Sequence, residues 1–80
     1  MAVRLDKLVN FVASRGWRYH YAEPGGLGAL SFEYKGLRYR AWEFDEGEPG
    51  AESNVRSTGR SDDYYGDYEE QILAILRTWD

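Results

Sequence analysis

The segment that most constrains this chain is Leu30-Ser31-Phe32-Glu33-Tyr34, followed by Lys35-Gly36 and then Leu37-Arg38-Tyr39-Arg40-Ala41-Trp42. Two alternating runs joined by two residues read as a β-hairpin, and glycine suits the positive φ that such a turn requires. A two-residue turn also sets the register. Leu30 then faces Ala41, Phe32 faces Tyr39 and Tyr34 faces Leu37, and all of these are apolar or aromatic. The opposite face pairs Glu33 with Arg38, Ser31 with Arg40, Ala29 with Trp42 and Leu27 with Phe44. A slip by one residue would mix the two sets, so the pattern itself specifies the pairing. Glu33 across from Arg38 is an expected ion pair, worth well under ~1 kcal/mol if solvated.

Around this hairpin the hydrophobic periodicity places further elements. Leu5, Leu8, Val9 and Val12 recur at helical spacing and predict a helix over 3–14, stopped by Gly16. Trp17, Tyr19 and Tyr21 alternate with Arg18, His20 and Ala22, which predicts a strand over 17–23 before the Pro24-Gly25-Gly26 turn. An even-numbered loop after that strand puts its aromatics on the core face, and a three-residue loop puts them on the other. The core face is expected, because a domain this small needs the buried area. Strands are expected over 27–34 and 37–44. Tyr68, Ile72, Ile75, Leu76 and Trp79 form an apolar stripe that predicts a helix over 67–79, with Asp67 and Glu70 in capping-box spacing.

Between them, residues 45–66 show no apolar period and hold Gly47, Pro49, Gly50, Gly59 and Gly66. This stretch is expected to be long and irregular, anchored at both ends and mobile around 51–61. There only Ala51 and Val55 could offset the roughly 1–2 kcal/mol per residue that ordering costs. The expected fold is α+β, in the order α-β-β-β-α: a three-stranded antiparallel sheet with both helices on one face.

Eighty residues make one domain, 1–80, and the absence of cysteine excludes disulfides and thiolate metal sites. No apolar run approaches the ~20 residues of a membrane helix, and no signal-peptide pattern is visible, so a cytoplasmic location is expected. The net charge of −4 conceals an imbalance: residues 1–42 sum to +4 and residues 43–80 to −8. Such asymmetry can mark a charged partner, or the two halves can neutralise each other on folding.

Function is sought on the sheet face that the helices leave open. It is expected to carry Arg18, His20, Ser31, Arg38 and Arg40, ending in Trp42 and Phe44. Exposed aromatics beside arginine are the composition of interface hot spots. The leading expectation is therefore a non-enzymatic protein–protein interaction or regulatory module whose partner is another protein or a second copy of this chain. The alternative is nucleic-acid binding through the same face, where basic groups interleaved with aromatics can hold single strands. The competing expectation is that Trp42 and Phe44 are covered by residues 45–66 or by a second subunit, with Asp45, Glu46, Glu48 and Glu52 of that segment neutralising the arginines. A candidate anion-binding loop is Arg56, Ser57, Thr58 and Arg60, whose guanidiniums and hydroxyls could hold phosphate, but it lacks the Gly-Lys-Ser/Thr ending of a P-loop. An enzyme acting on a phosphorylated ligand through residues 53–61 is the least favoured reading. His20 is the only histidine and has no nucleophile or orienting carboxylate near it in sequence, so no catalytic residue, metal ligand or cofactor is expected.

The element order resembles the double-stranded RNA-binding domain, but that family's basic last-helix terminus is here Asp67, Glu69 and Glu70, which would repel phosphates. In size, element order and aromatic strands the chain also resembles small uncharacterised bacterial proteins of the YkuJ-like type. That resemblance spans most of the chain and implies no activity.

Overall fold

The computed structural model describes residues 4–57 and 59–79. Its order is α1 (Asp6–Ser14), β1 (Tyr19–Ala22), a short 3-10 turn (Pro24–Gly26), β2 (Ala29–Tyr34), β3 (Leu37–Asp45), β4 (Pro49–Ser57), β5 (Arg60–Tyr65) and α2 (Tyr68–Leu76). The five strands form one antiparallel meander in the order β1-β2-β3-β4-β5. The class is thus α+β as expected, but the sheet has five strands rather than three. The extra two come from the stretch expected to be irregular and mobile.

The β2–β3 register matches the sequence pattern residue for residue, from Ala29 opposite Trp42 to Tyr34 opposite Leu37. Lys35 and Gly36 both take positive φ, 52° and 80°, which is the type I′ turn whose twist suits a hairpin. β1 ends with Ala22 opposite Ala29, leaving six loop residues, 23–28, an even number. Tyr19 and Tyr21 therefore share the face of Phe32 and Leu30. Tyr19 lies at the rim and stays exposed, whereas Trp17, just before the strand, packs on the core.

α1 stops where Gly16 enters the left-handed region at φ 73°. The N–H of Gly16 bonds to the carbonyl of Ala13 and that of Trp17 to the carbonyl of Val12, the two bonds of a Schellman cap. The expected capping box of α2 does not form, because Asp67 makes no side-chain cap bond. Glu69 instead reaches across to α1, accepting from the N–H groups of Lys7 at 2.9 Å and Leu8 at 3.2 Å. A carboxylate on one helix thus satisfies free donors at the start of the other.

One core joins Leu5, Leu8 and Val12 of the α1 region, Ile72, Leu73 and Leu76 of α2, and Leu30, Phe32, Tyr39, Ala41, Ala51, Val55 and Tyr64 of the sheet. α1 sits towards β1, while α2 lies over β4 and β5 and touches α1. At one end the core is aromatic. Trp79 lies 4.7 Å from Tyr39 and 4.8 Å from Tyr34, ring centre to ring centre, and its carbonyl accepts the Tyr34 hydroxyl at 2.6 Å.

β4 belongs to this core although it has little apolar surface. Its inward residues Ala51 and Ser53 are fully buried opposite Glu43 and Ala41. The Ser53 hydroxyl donates to the Arg40 carbonyl at 2.6 Å. The ladder from β4 to β3 ends at Ser53, and the Asn54 amide continues it, accepting from Arg40 N–H at 2.7 Å and donating to the Arg38 carbonyl at 3.5 Å. A side chain here replaces a strand backbone in the ladder, as at a β-bulge.

Candidate functional site

The sheet face turned away from the helices gathers every residue expected on it. Ladder positions place His20 beside Ser31 and Arg40, and Glu33 beside Arg38. Arg18, two residues before His20, continues the same ladder by accepting from the Glu33 N–H at 2.9 Å. Trp42 and Phe44 follow Arg40 along β3. Arg38 reaches Glu33 at 3.5 Å, and the Arg40 guanidinium lies 5.2 Å from the centre of the Trp42 ring.

The face extends further than the sequence reading allowed. β4 and β5 lie beside β3 in the sheet rather than over it, so residues 45–66 do not cover Trp42 and Phe44, and both remain half-buried. The new strands add Glu52 opposite Trp42, Asp63 opposite Glu52, and Tyr65 opposite Gly50. Phe44 leans across Gly50 to meet Tyr65 edge-on, with ring centres 5.5 Å apart. A Cβ built on Gly50 would stand 3.0 Å from the Phe44 ring and 2.6 Å from the Tyr64 carbonyl oxygen, so the glycine makes this crossing possible.

Charge on the face is segregated. Arg18, His20, Arg38 and Arg40 occupy one corner. Glu52, Asp63 and the Glu46–Glu48 turn occupy the other, with Trp42 and Phe44 between them. Two shallow depressions flank the tryptophan. One, of about 280 Å³, runs past His20, Ala29 and Arg40; the other, of about 160 Å³, is bounded by Phe44, Glu46, Glu52 and Asp63. Among the described residues, the ion pairs of this face reduce to Arg38 with Glu33; Arg18, Arg40, Glu52 and Asp63 make none. The expected neutralisation of the arginines by the acids of 45–66 is therefore not formed within the chain.

The candidate anion loop is not a loop. Arg56 and Ser57 end β4 and Arg60 begins β5, while Thr58 lies outside the described residues. Arg56, Ser57 and Arg60 border a depression of about 150 Å³ that also contains Asp62, whose carboxylate stands 3.9 Å from Arg60 Nε. That carboxylate opposes an anion. Ser53 and Asn54 are committed to the β3 ladder.

A second cluster, on the helix side, was not legible in the sequence. The Glu43 side chain is 2% exposed and gathers three donors. Arg4 Nε donates to one carboxylate oxygen at 2.5 Å and the Gly28 N–H to the same oxygen at 2.8 Å, and the Tyr68 hydroxyl donates to the other. Burial alone would raise the Glu43 carboxyl. The bonds from Tyr68, Gly28 and Arg4 outweigh it and hold the group below its ordinary pKa. Burial and the same carboxylate push Tyr68 up to about 12. The arrangement ties the N-terminal segment, the approach to β2, β3 and α2 together, and Glu43, Arg4 and Tyr68 line none of the depressions described above.

Among the described residues no group of three or more His, Cys, Asp or Glu converges as for a metal ion, and no helix is long and apolar enough to cross a membrane. Compared with protein-family models, curated proteins and solved structures, the chain matches none.

Proposed function

We propose that this chain is a non-enzymatic protein-interaction module that works through the open face of its sheet. One observation carries the reading: half-buried Trp42 and Phe44 lie between two corners of opposite charge whose members, apart from Arg38, make no ion pair among the described residues. Aromatic anchors rimmed by arginine and carboxylate have the composition of protein interfaces. A polyanion crossing this face would have to pass Glu52, Asp63 and the Glu46–Glu48 turn, which favours a protein partner over nucleic acid.

The test immobilises the chain in four forms: wild type, Trp42→Ala, Arg40→Ala and Ala74→Ser, the last altering an exposed position on α2. Proteins retained from cell extract are quantified for each. A set retained by wild type and Ala74→Ser but lost from both open-face variants is expected. Identical sets for all four forms would overturn the reading. So would salt-sensitive binding of a fluorescent oligothymidylate that Arg40→Ala abolishes, since that behaviour belongs to a nucleic-acid surface.

A further inference from the structure

The charge pattern of the open face is complementary to itself. In the plane of the sheet, the basic corner (Arg18, His20, Arg40) and the acidic corner (Glu52, Asp63, Glu46) lie on opposite sides of Trp42. A two-fold axis lying between two such faces, and crossing above Trp42, carries each copy's basic corner onto the other's acidic corner. The axis runs obliquely to the strands, so both unpaired sets meet at once and Trp42 meets its own copy on the axis, while Phe44 lies on the acidic side and falls over the other copy's basic corner. An isologous interface requires this self-complementarity, and a single-signed face would forbid it.

Resting on the proposed role of this face, we infer that its occupant is a second copy of this chain, packed face to face as an antiparallel-charge homodimer. The two charges nearest the axis are Arg40, two residues before Trp42 on β3, and Glu52, directly opposite Trp42 on β4. Arg40 of each copy meets Glu52 of the other, so the contact occurs twice. The remaining charges, Arg18 and Asp63, lie further from the axis and form the rim.

The size of the face sets the strength of the pairing. Five strands span about 24 Å, and their mean length is about 22 Å. That gives roughly 500 Å² of planar area on each copy, at the low end of specific interfaces. The dimer is therefore concentration-dependent, and salt weakens it because charge pairs across so small a face stay open to solvent. Two stacked sheets lie about 10 Å apart, close enough for the Trp42 rings of the two copies to meet.

Sedimentation equilibrium of the whole chain, run over a concentration series at low and high salt, tests this with two charge reversals. Arg40→Glu alone places two glutamates together at both symmetric contacts, and Glu52→Arg alone places two arginines together. Each variant is expected to dimerise about a hundredfold more weakly than wild type, about tenfold for each contact. An equimolar mixture of the two restores both contacts in a heterodimer and should recover dimer to near the wild-type level. Recovery in the mixture also shows that each variant is folded. A wild-type chain that stays monomeric at millimolar concentration would overturn the homodimer, while open-face-dependent retention of other proteins would leave the broader role standing. Dimerisation unaffected by either reversal would overturn it as well, and would place the contact at the β1 or β5 edge.

Discussion

Replacing Glu43 by glutamine tests whether the buried carboxylate stabilises the fold. The direction is not obvious, because a buried charge can cost more in desolvation than its partners return. Here the balance is visible: despite burial the Glu43 carboxyl lies below its ordinary pKa, so the ionised form is favoured more in the fold than in water. In Glu43→Gln the amide oxygen can keep the bonds from Arg4 and Gly28, but both lose their charge assistance, at about 1 kcal/mol each. The Tyr68 hydroxyl must turn to accept from the new NH2. The expected loss is about 2 kcal/mol at pH 7, against a total stability of roughly 4–12 kcal/mol for a chain of 80 residues. Urea unfolding followed by tryptophan fluorescence, with an unchanged m-value, measures it. A group with a depressed folded pKa contributes stability that is present above its unfolded value and lost as pH falls through the folded one. The gap between wild type and variant should therefore narrow as pH falls from 7 to 3. In a double-mutant cycle Tyr68→Phe should be non-additive with Glu43→Gln, because both act on one bond. A glutamine variant as stable as wild type at pH 7, or a gap that persists at pH 3, would refute the reasoning.

Two further substitutions probe the parts of the sheet and helices that the sequence concealed. Gly50→Ala puts a Cβ against the Tyr64 carbonyl and the Phe44 ring, and because the nearer obstacle is backbone it should destabilise by about 1–3 kcal/mol in urea unfolding; equal stability would show that Phe44 does not rest on the glycine. Glu69→Ala removes the acceptor at the start of α1 and should cost about 0.5–2 kcal/mol, whereas Glu69→Gln keeps an oxygen for Lys7 and Leu8 and should cost less than about 0.5 kcal/mol at pH 7. The glutamine is tolerated because burial, aided by the nearby Asp6 charge, raises the Glu69 carboxyl: the part of its contribution linked to the proton is present below the unfolded pKa and lost as pH rises through the folded value, while the two N–H bonds, which a neutral amide oxygen also accepts, remain at pH 7. Equal losses for alanine and glutamine at pH 7, in thermal or urea unfolding, would refute the capping role.

The β2–β3 hairpin was legible because its faces differ in polarity from Glu33–Arg38 through Ser31–Arg40 against Tyr34–Leu37, Phe32–Tyr39 and Leu30–Ala41, so its register and facing followed from one alternation. In the first strand the alternation of Trp17, Tyr19 and Tyr21 with polar neighbours marked the element but not its facing, which the even-numbered loop 23–28 decides; Arg18 and His20 reach the open face through that loop, whereas Arg38, Arg40, Trp42 and Phe44 follow from the hairpin register. Glu43 was hidden for the converse reason. It occupies an inward position between Ala41 and the β4 turn where the pattern expects an apolar residue, and its partners Arg4, Gly28 and Tyr68 come from three distant segments. The capping box of α2 misled because local spacing favoured Asp67 with Glu70, while a neighbouring carboxylate, Glu69, found unsatisfied donors on another helix.

β4 shows most clearly why a strand can be silent in sequence. Its inward residues Ala51 and Ser53 carry almost no hydrophobic signal, yet they are fully buried because α2 lies over β4 and a larger side chain would hold the helix off. Smallness, not hydrophobicity, is what this position demands. Asn54 hides the strand further, since it supplies ladder bonds from its side chain where the backbone has peeled away. Once the stretch is recognised as a strand, its acids change meaning. In a loop folded over Trp42 they would neutralise the arginines from above. In a strand beside β3, Glu52 lies level with the tryptophan and Asp63 one strand further out, so the acids become the second corner of the same face. The surplus of base in the first half of the chain and of acid in the second is then expressed as two corners of one sheet, and it is this separation of opposite charges on a single surface that the proposed homodimer would pair.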